Sequence, residues 1–246
     1  MTTPPSRRSI LRRATFLTAG AAVGSSLLAT SAHAAAHPQS AAPTQALDTP
    51  HPHTLTGIRS SNGWEMEKIA NDHGTIYTRP VPGTPLEGVA VRMGDVETVL
   101  VHLIRRFHYE IEELRRGDVI GWRSPETVQR DSPESNQASG TAVQIRPDHH
   151  PAGARGAFFP WQLLVVRDIL AEIDGVVRWG GDDRRPNESL FSIDVTPGDV
   201  RLTQVSDRLR LWQNIPGRGA GSPVDVTAAP RRDTARALEL RQRKAV

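Results

Sequence analysis

The chain has 246 residues, with 30 Lys and Arg against 27 Asp and Glu, but its first 34 residues hold four arginines and no acid. The remainder is close to neutral, so no basic stripe is left to neutralise phosphates, and a nucleic-acid binder built on charge is excluded. There is no cysteine, which excludes disulfide staples, thiolate zinc sites and a Cys nucleophile, while a hydrophobic fraction of 37% suffices to bury a core.

Residues 1–34 combine a basic start, a modest apolar run from Ala14 to Ala29 and a small-x-small end at Ala32-His33-Ala34. These are the three parts of a secretory signal. Ser6-Arg7-Arg8-Ser9-Ile10-Leu11 resembles the twin-arginine export motif. The apolar run is too short and too diluted by Gly20, Gly24, Ser25 and Ser26 to anchor the chain in a membrane. Export by that route and an extracellular or cell-wall location are therefore expected, with no stable membrane anchor after signal cleavage. Residues 35–60 are rich in Ala, Pro, His, Thr and Ser without periodicity and read as a flexible linker.

The folded unit is expected over 61–213. Thr75–Thr78 and Val89–Arg92 have the composition of short strands. Val96 to Arg115 carries apolar residues at spacings of three and four (Val96, Val99, Leu100, Leu103, Ile104, Phe107, Ile111, Leu114), which predicts a helix packed on one face. Val119–Trp122 and Thr141–Arg146 read as strands, and Phe159–Ile173 as a second amphipathic helix. Strands at Val176–Trp179 and Leu190–Val195 and a third helix at Asp199–Trp212 complete the domain. Mixed elements without a regular βαβ repeat predict an α+β domain with a mainly antiparallel sheet. The Gly-, Pro- and Arg-rich residues 214–246 read as a flexible charged tail, in which 228–246 form at most a fraying helix.

Three segments carry chemical information: Gly121-Trp122-Arg123-Ser124-Pro125-Glu126, Ser135-Asn136-Gln137-Ala138-Ser139-Gly140-Thr141-Ala142-Val143-Gln144, and Trp179-Gly180-Gly181-Asp182 followed by Asn187-Glu188-Ser189-Leu190-Phe191. Their order and spacing resemble the M15 peptidases, zinc D-Ala-D-Ala carboxypeptidases and L,D-peptidases of bacterial cell walls. The resemblance spans residues 117–195 and implies the hedgehog/DD-peptidase fold. The family pattern is Ser-x-His-x-x-Gly-x-Ala-x-Asp, then Trp-Gly-Gly, then Asp/Glu-x-x-His-Phe.

The same resemblance removes the chemistry. The two zinc-binding histidines fall on Gln137 and Leu190, the zinc-binding aspartate on Gln144 and the catalytic acid on Asn187. Only the arginine that the family uses against the substrate carbonyl survives, as Arg123. Zinc needs neutral imidazoles and carboxylates as Lewis bases with an open position for water. Neutral amides and a leucine do not supply them, so no zinc or other cofactor is expected. Asn187 has no usable pKa for taking a proton from water. Substitute ligands are sought in Glu188, Asp148, His149 and His150, or in Asp182 and Asp183. Asp194 lies four residues past Leu190, about 13 Å along a strand, too far to replace it.

Three functional readings remain open. The first is an inactive, exported M15-like protein that binds a cell-wall stem peptide or a secreted protein partner through Arg123, Ser135, Gln137, Gln144, Asn187 and Glu188. The second is an active metallopeptidase with non-standard ligands. The third is a structural module whose old cleft is filled, for which a Gln137–Gln144 hydrogen bond and Leu190 would be suited. Trp179 reads as core packing, and His102 and His108 as surface or packing residues.

Overall fold

The computed structural model describes residues 52–244; the expected export signal and most of the expected linker lie outside them. Two hairpins open the domain. Strand β1 (Leu55–Arg59) pairs antiparallel with β2 (Glu65–Glu67), and β3 (Ile76–Arg79) with β4 (Val89–Arg92). Strand β1 corrects the linker expectation for 55–60. This segment is ordered by side-chain bonds that composition does not reveal: Thr56 Oγ1 donates to Met66 O at 3.0 Å and Ser60 Oγ to Ser139 Oγ at 2.9 Å.

Helix α1 (Asp95–Glu110) follows the predicted apolar stripe but stops short of Arg115. The N–H groups of Ile111 and Glu112 both turn to Phe107 O, and His108 Nδ1 accepts the N–H of Leu114 at 2.9 Å. Ile111 and Leu114 therefore stay buried in a turn rather than on helix. The chain continues through β5 (Val119–Ile120), α2 (Ser135–Ala138) and β6 (Ala142–Ile145). Then come α3 (Pro160–Glu172), β7 (Val177–Trp179), β8 (Leu190–Ile193), α4 (Val200–Gln213) and α5 (Ala229–Lys244). Helices combined with small antiparallel sheets make this the expected α+β class.

The main sheet has the order β5-β6-β8-β7, with every neighbouring pair antiparallel. Strand alternation divides its two faces. Val143, Ile145, Phe191, Ile193, Val177 and Trp179 join the main core with residues of α1, α3 and α4. The opposite face follows from the register, which sets Gln144 against Leu190, and Ser192 against both Ala142 and Arg178. Helix α2 lies by β6 and β8.

Helix α5 corrects the flexible-tail expectation. It packs along α3, with Ala235, Leu238 and Gln242 buried. Gln242 Nε2 donates to Val177 O at 2.9 Å, and Arg178 donates to Gln242 O at 3.3 Å, so the helix end meets strand β7. Strand β7 is an edge of the sheet, and covering it blunts the pairing of that edge with other chains. Among the described residues no helix is long and apolar enough to cross a membrane.

Candidate functional site

The arginine that the resemblance marks is placed by close backbone packing. A Cβ on Gly121 would lie 2.1 Å from Ala90 O, so only glycine allows β5 to run this near to β4. Trp122 N–H then donates to Ala90 O at 2.7 Å, and its indole N–H to Glu67 O at 3.2 Å. The next residue, Arg123, donates among the described residues only to Thr127 O, at 3.4 Å. Across from it, Asn187 sits in the turn before β8. Its N–H donates to Gly180 O at 2.9 Å. A Cβ on Gly180 would stand 2.7 Å from Asn187 O, which accounts for a glycine directly after Trp179. The Trp179 indole is buried and donates to Glu188 O at 2.7 Å, consistent with core packing.

Two of the positions that the resemblance marks, Gln144 and Asn187, join a hydrogen-bonded chain that ends on a carboxylate. Gln144 Nε2 donates to Ser189 Oγ at 3.3 Å, Ser189 Oγ to Asn187 Oδ1 at 2.7 Å, and Asn187 Nδ2 to Glu134 Oε1 at 2.9 Å. Leu190 is buried beside Gln144 on the neighbouring strand. Gln137 does not make the bond to Gln144 that a filled cleft would suit. Its Nε2 donates to the carbonyls of Gly121 and Ile120, at 2.9 and 3.3 Å, and its buried Oε1 has no partner among the described residues.

Two other candidates also serve the scaffold. Ser135 Oγ is buried and accepts the N–H of Ser61 at 2.9 Å. The Glu188 carboxylate turns away to accept the N–H groups of Gly156 and Ala157, at 2.7 and 2.9 Å. It holds the loop before α3 and does not face a ligand. Of the six sequence candidates, only Arg123 and Asn187 line an open cleft, which has a volume of about 340 Å³.

That cleft is also lined by Glu134 and Arg185, which the sequence did not single out, and by Asp183, which it offered only as a substitute metal ligand. Their only sequence signal is adjacency, Glu134 preceding Ser135 and the other two following Trp-Gly-Gly-Asp. Burial pushes the Glu134 carboxyl up. Hydrogen bonds from Asn187, its own backbone N–H and Ser132, with the charge of Arg123, outweigh this and hold it below the ordinary carboxylate range. Asp183 moves the other way. Burial raises it and the charges of Asp182 and Glu134 add to the rise, against the opposing ion pair with Arg178. The cleft thus carries an ionised Glu134 beside two guanidiniums, neither of which forms an ion pair with a described residue.

Zinc does not fit this donor set. Leu190 supplies no lone pair, Gln137 and Gln144 direct their Nε2 atoms into protein bonds, and Asn187 is fixed between Ser189 and Glu134. The substitute ligands do not converge either. His149 Nε2 meets Arg146 at 3.0 Å, whereas buried His150 stacks on Phe158 at 4.2 Å between ring centroids. Among the described residues no group of three or more His, Cys, Asp or Glu is placed to hold a metal ion. Comparison of the chain with protein-family models, with curated proteins and with solved structures finds no match.

Proposed function

We propose that this chain is an exported, catalytically inactive protein of M15-peptidase type. In this reading it binds peptides with a free carboxylate, such as cell-wall stem peptides, in the cleft beside Arg123. One observation carries the reading: the cleft is open at about 340 Å³ while the metal positions beneath it are closed by amides and a leucine. An enzyme of that type needs an ion to bring a bound water toward a pKa near 7 and a carboxylate to take its proton. Gln144 and Asn187 offer neither. A guanidinium without an ion pair, facing a cleft, is suited to hold a carboxylate in a two-point hydrogen-bonded pair.

The burial of Gln137 and Leu190 favours the alternative of a purely structural module. The open cleft beside Arg123 opposes it. Calorimetry with the purified chain separates the readings. The expected result is no zinc binding at micromolar protein, together with binding of an Nα-acetylated peptide ending in D-Ala-D-Ala. Amidating the peptide's carboxylate is expected to abolish that binding. Tight one-to-one zinc binding with chelator-sensitive hydrolysis would instead establish a metallopeptidase with non-standard ligands, and no peptide binding at all would leave the structural module. A fourfold variant (Gln137→His, Gln144→Asp, Asn187→Asp and Leu190→His) is expected to gain zinc affinity. Structural zinc in small peptides contributes about 10–16 kcal/mol near neutral pH, so even a fraction of that is measurable.

A further inference from the structure

Helix α5 carries six basic residues against two acids, whereas the rest of the described chain holds more acids than bases. The near-neutral balance of the whole conceals this local excess, which corrects the expectation that no basic stripe is left. Two of the six serve the fold. Arg231 pairs with Asp168 and Glu172, and Arg243 with Asp182 and Glu239. Arg232, Arg236 and Lys244 are exposed and form no ion pair with a described residue. At successive spacings of four they share one row of the helix with Leu240, which is 55% exposed.

This row works against the helix that bears it. Arg232 stands in the first turn, where a cation meets the positive end of the helix dipole. Arg231 suffers the same repulsion, but its two carboxylates offset it; Arg232 has no such offset. Like charges four apart, as at Arg232 and Arg236, also repel. Helix stability therefore accounts for Lys244 in the last turn and not for Arg232 or Arg236. Both arginines line a groove of about 420 Å³ with Arg243, Leu240 and, from α3, Leu164. The groove's one carboxylate, Glu239, is already paired with Arg167 and Arg243. Arg167 is 6% exposed and lines the same groove, and its buried Nε has no partner among the described residues. The groove thus offers cationic donors and an exposed leucine, with no unpaired carboxylate.

We propose that this face of α5 is a docking surface for membranes that contain anionic phospholipid. Guanidiniums match phosphodiester oxygens in two-point hydrogen bonds. Leu240, set among the cations, enters the boundary between headgroups and acyl chains, as the apolar residues of interfacial helices do. A soluble polyanion would engage the arginines and leave Leu240 in water, whereas a lipid surface takes both. The contact is reversible adsorption through a few charges and one leucine. It uses a different element from the cleft beside Arg123 and stands independently of the peptide-binding reading.

The absence of cysteine allows a single-site test on the full chain. Leu240→Cys carries an environment-sensitive fluorophore, and Leu211→Cys on α4, 65% exposed in the parent, carries the same label as a control. The label at 240 is expected to brighten with vesicles of mixed phosphatidylglycerol and phosphatidylcholine. It should not brighten with phosphatidylcholine alone or with soluble polyphosphate, and the label at 211 should not respond. Added salt should weaken the response. Arg232→Gln with Arg236→Gln is expected to weaken vesicle binding about twentyfold, on the scale of about fivefold for each basic residue near an anionic surface. Thermal melts of that double variant should not fall, since it removes a repulsion; a lower melting temperature would give the two arginines to the fold and overturn the proposal. No brightening at 240, equal brightening at 211, or a response that survives loss of both arginines also overturns it. Polyphosphate binding that the double variant abolishes, without brightening on vesicles, would make the row a site for a soluble polyanion and overturn the lipid surface.

Discussion

Between α1, α3 and α5 the guanidinium of Arg106 is 1% exposed and ringed by carboxylates, with Asp168 at 3.0 Å, Glu172 at 3.1 Å, and Glu110 closing the ring. Arg231, reaching in from α5, donates to Asp168 at 2.6 Å and to Glu172 at 2.9 Å, and His102 meets Glu172 at 3.0 Å. In the cleft, Arg123 and Arg185 face solvent without such partners. A charge taken out of water must be paired, because desolvation costs several kcal/mol per ion. A charge at a cleft rim keeps its water and can remain unpaired until a ligand replaces that water. The same residue type thus serves the fold on one side of the domain and is left free on the other.

The largest effect is expected on the helical side. Arg106→Ala leaves Asp168 and Glu172 buried with Arg231 and the His102 hydrogen bond to Glu172 as their remaining partners. Removing one partner of a buried pair typically costs about 3–5 kcal/mol. Chemical denaturation should show a loss in that range, and a loss below about 1 kcal/mol would mean that water reaches the ring and that the contrast with the cleft is not one of burial.

Acid should weaken the same ring. Burial alone would raise the Glu172 carboxyl, but the hydrogen bond from His102, the charge of Arg106 and the hydrogen bond from Arg231 bring it from 4.5 to about 2. Because the native value is the lower one, the stabilisation is complete above about pH 4.5 and is lost as pH falls toward 2. The difference is worth about 3 kcal/mol at most. Thermal melts between pH 6 and 2 should fall less in Glu172→Gln, once its lower starting stability is subtracted. Parallel curves for the two proteins would assign the acid sensitivity elsewhere.

The sequence makes some of this contrast legible and hides the rest. Strand β4 falls on Val89–Arg92 as read, and β8 starts at Leu190 as read, because short alternating runs bounded by turn residues state their own register. Strand β1 and the docking of helix α5, expected only as a fraying helix, were missed for one physical reason. Neither has strong local periodicity, and both are fixed by distant partners: Ser60 by Ser139, Arg231 by Asp168, and Gln242 by Val177. In the site, Arg123 and Asn187 were readable because their neighbours resemble a family pattern. Glu134 and Arg185 were not, and Asp183 was read only as a metal candidate, since loop geometry brings them to the cleft. Glu188 was misread as a cleft residue because adjacency to Asn187 does not reveal which way a side chain turns ahead of a strand.

Glu188 also provides an intermediate case, a buried carboxylate satisfied by backbone rather than by cations. Glu188→Gln keeps the shape, removes the charge and leaves one of the two N–H groups, at Gly156 or Ala157, facing an amide NH2 that cannot accept. Charge-assisted bonds are roughly twice as strong as neutral ones, so a loss of about 1–2 kcal/mol is expected. Amide hydrogen exchange should speed up at Gly156 and Ala157 ahead of the rest of the domain. Uniform acceleration would instead make the loop part of the global folding unit.

The smallest effect on stability is expected at Arg123. Its one hydrogen bond, to Thr127 O at 3.4 Å, is long, and it has no ion pair with a described residue. Arg123→Ala should change the unfolding free energy by no more than about 0.5 kcal/mol, as surface substitutions away from buried networks do. The same variant should weaken binding of a peptide carboxylate, because it leaves Arg185 as the one arginine lining that cleft. Stability unchanged with binding weakened would place Arg123 on the ligand side of the contrast. A stability loss above about 1 kcal/mol would place it with Arg106, as a charge that the fold itself requires.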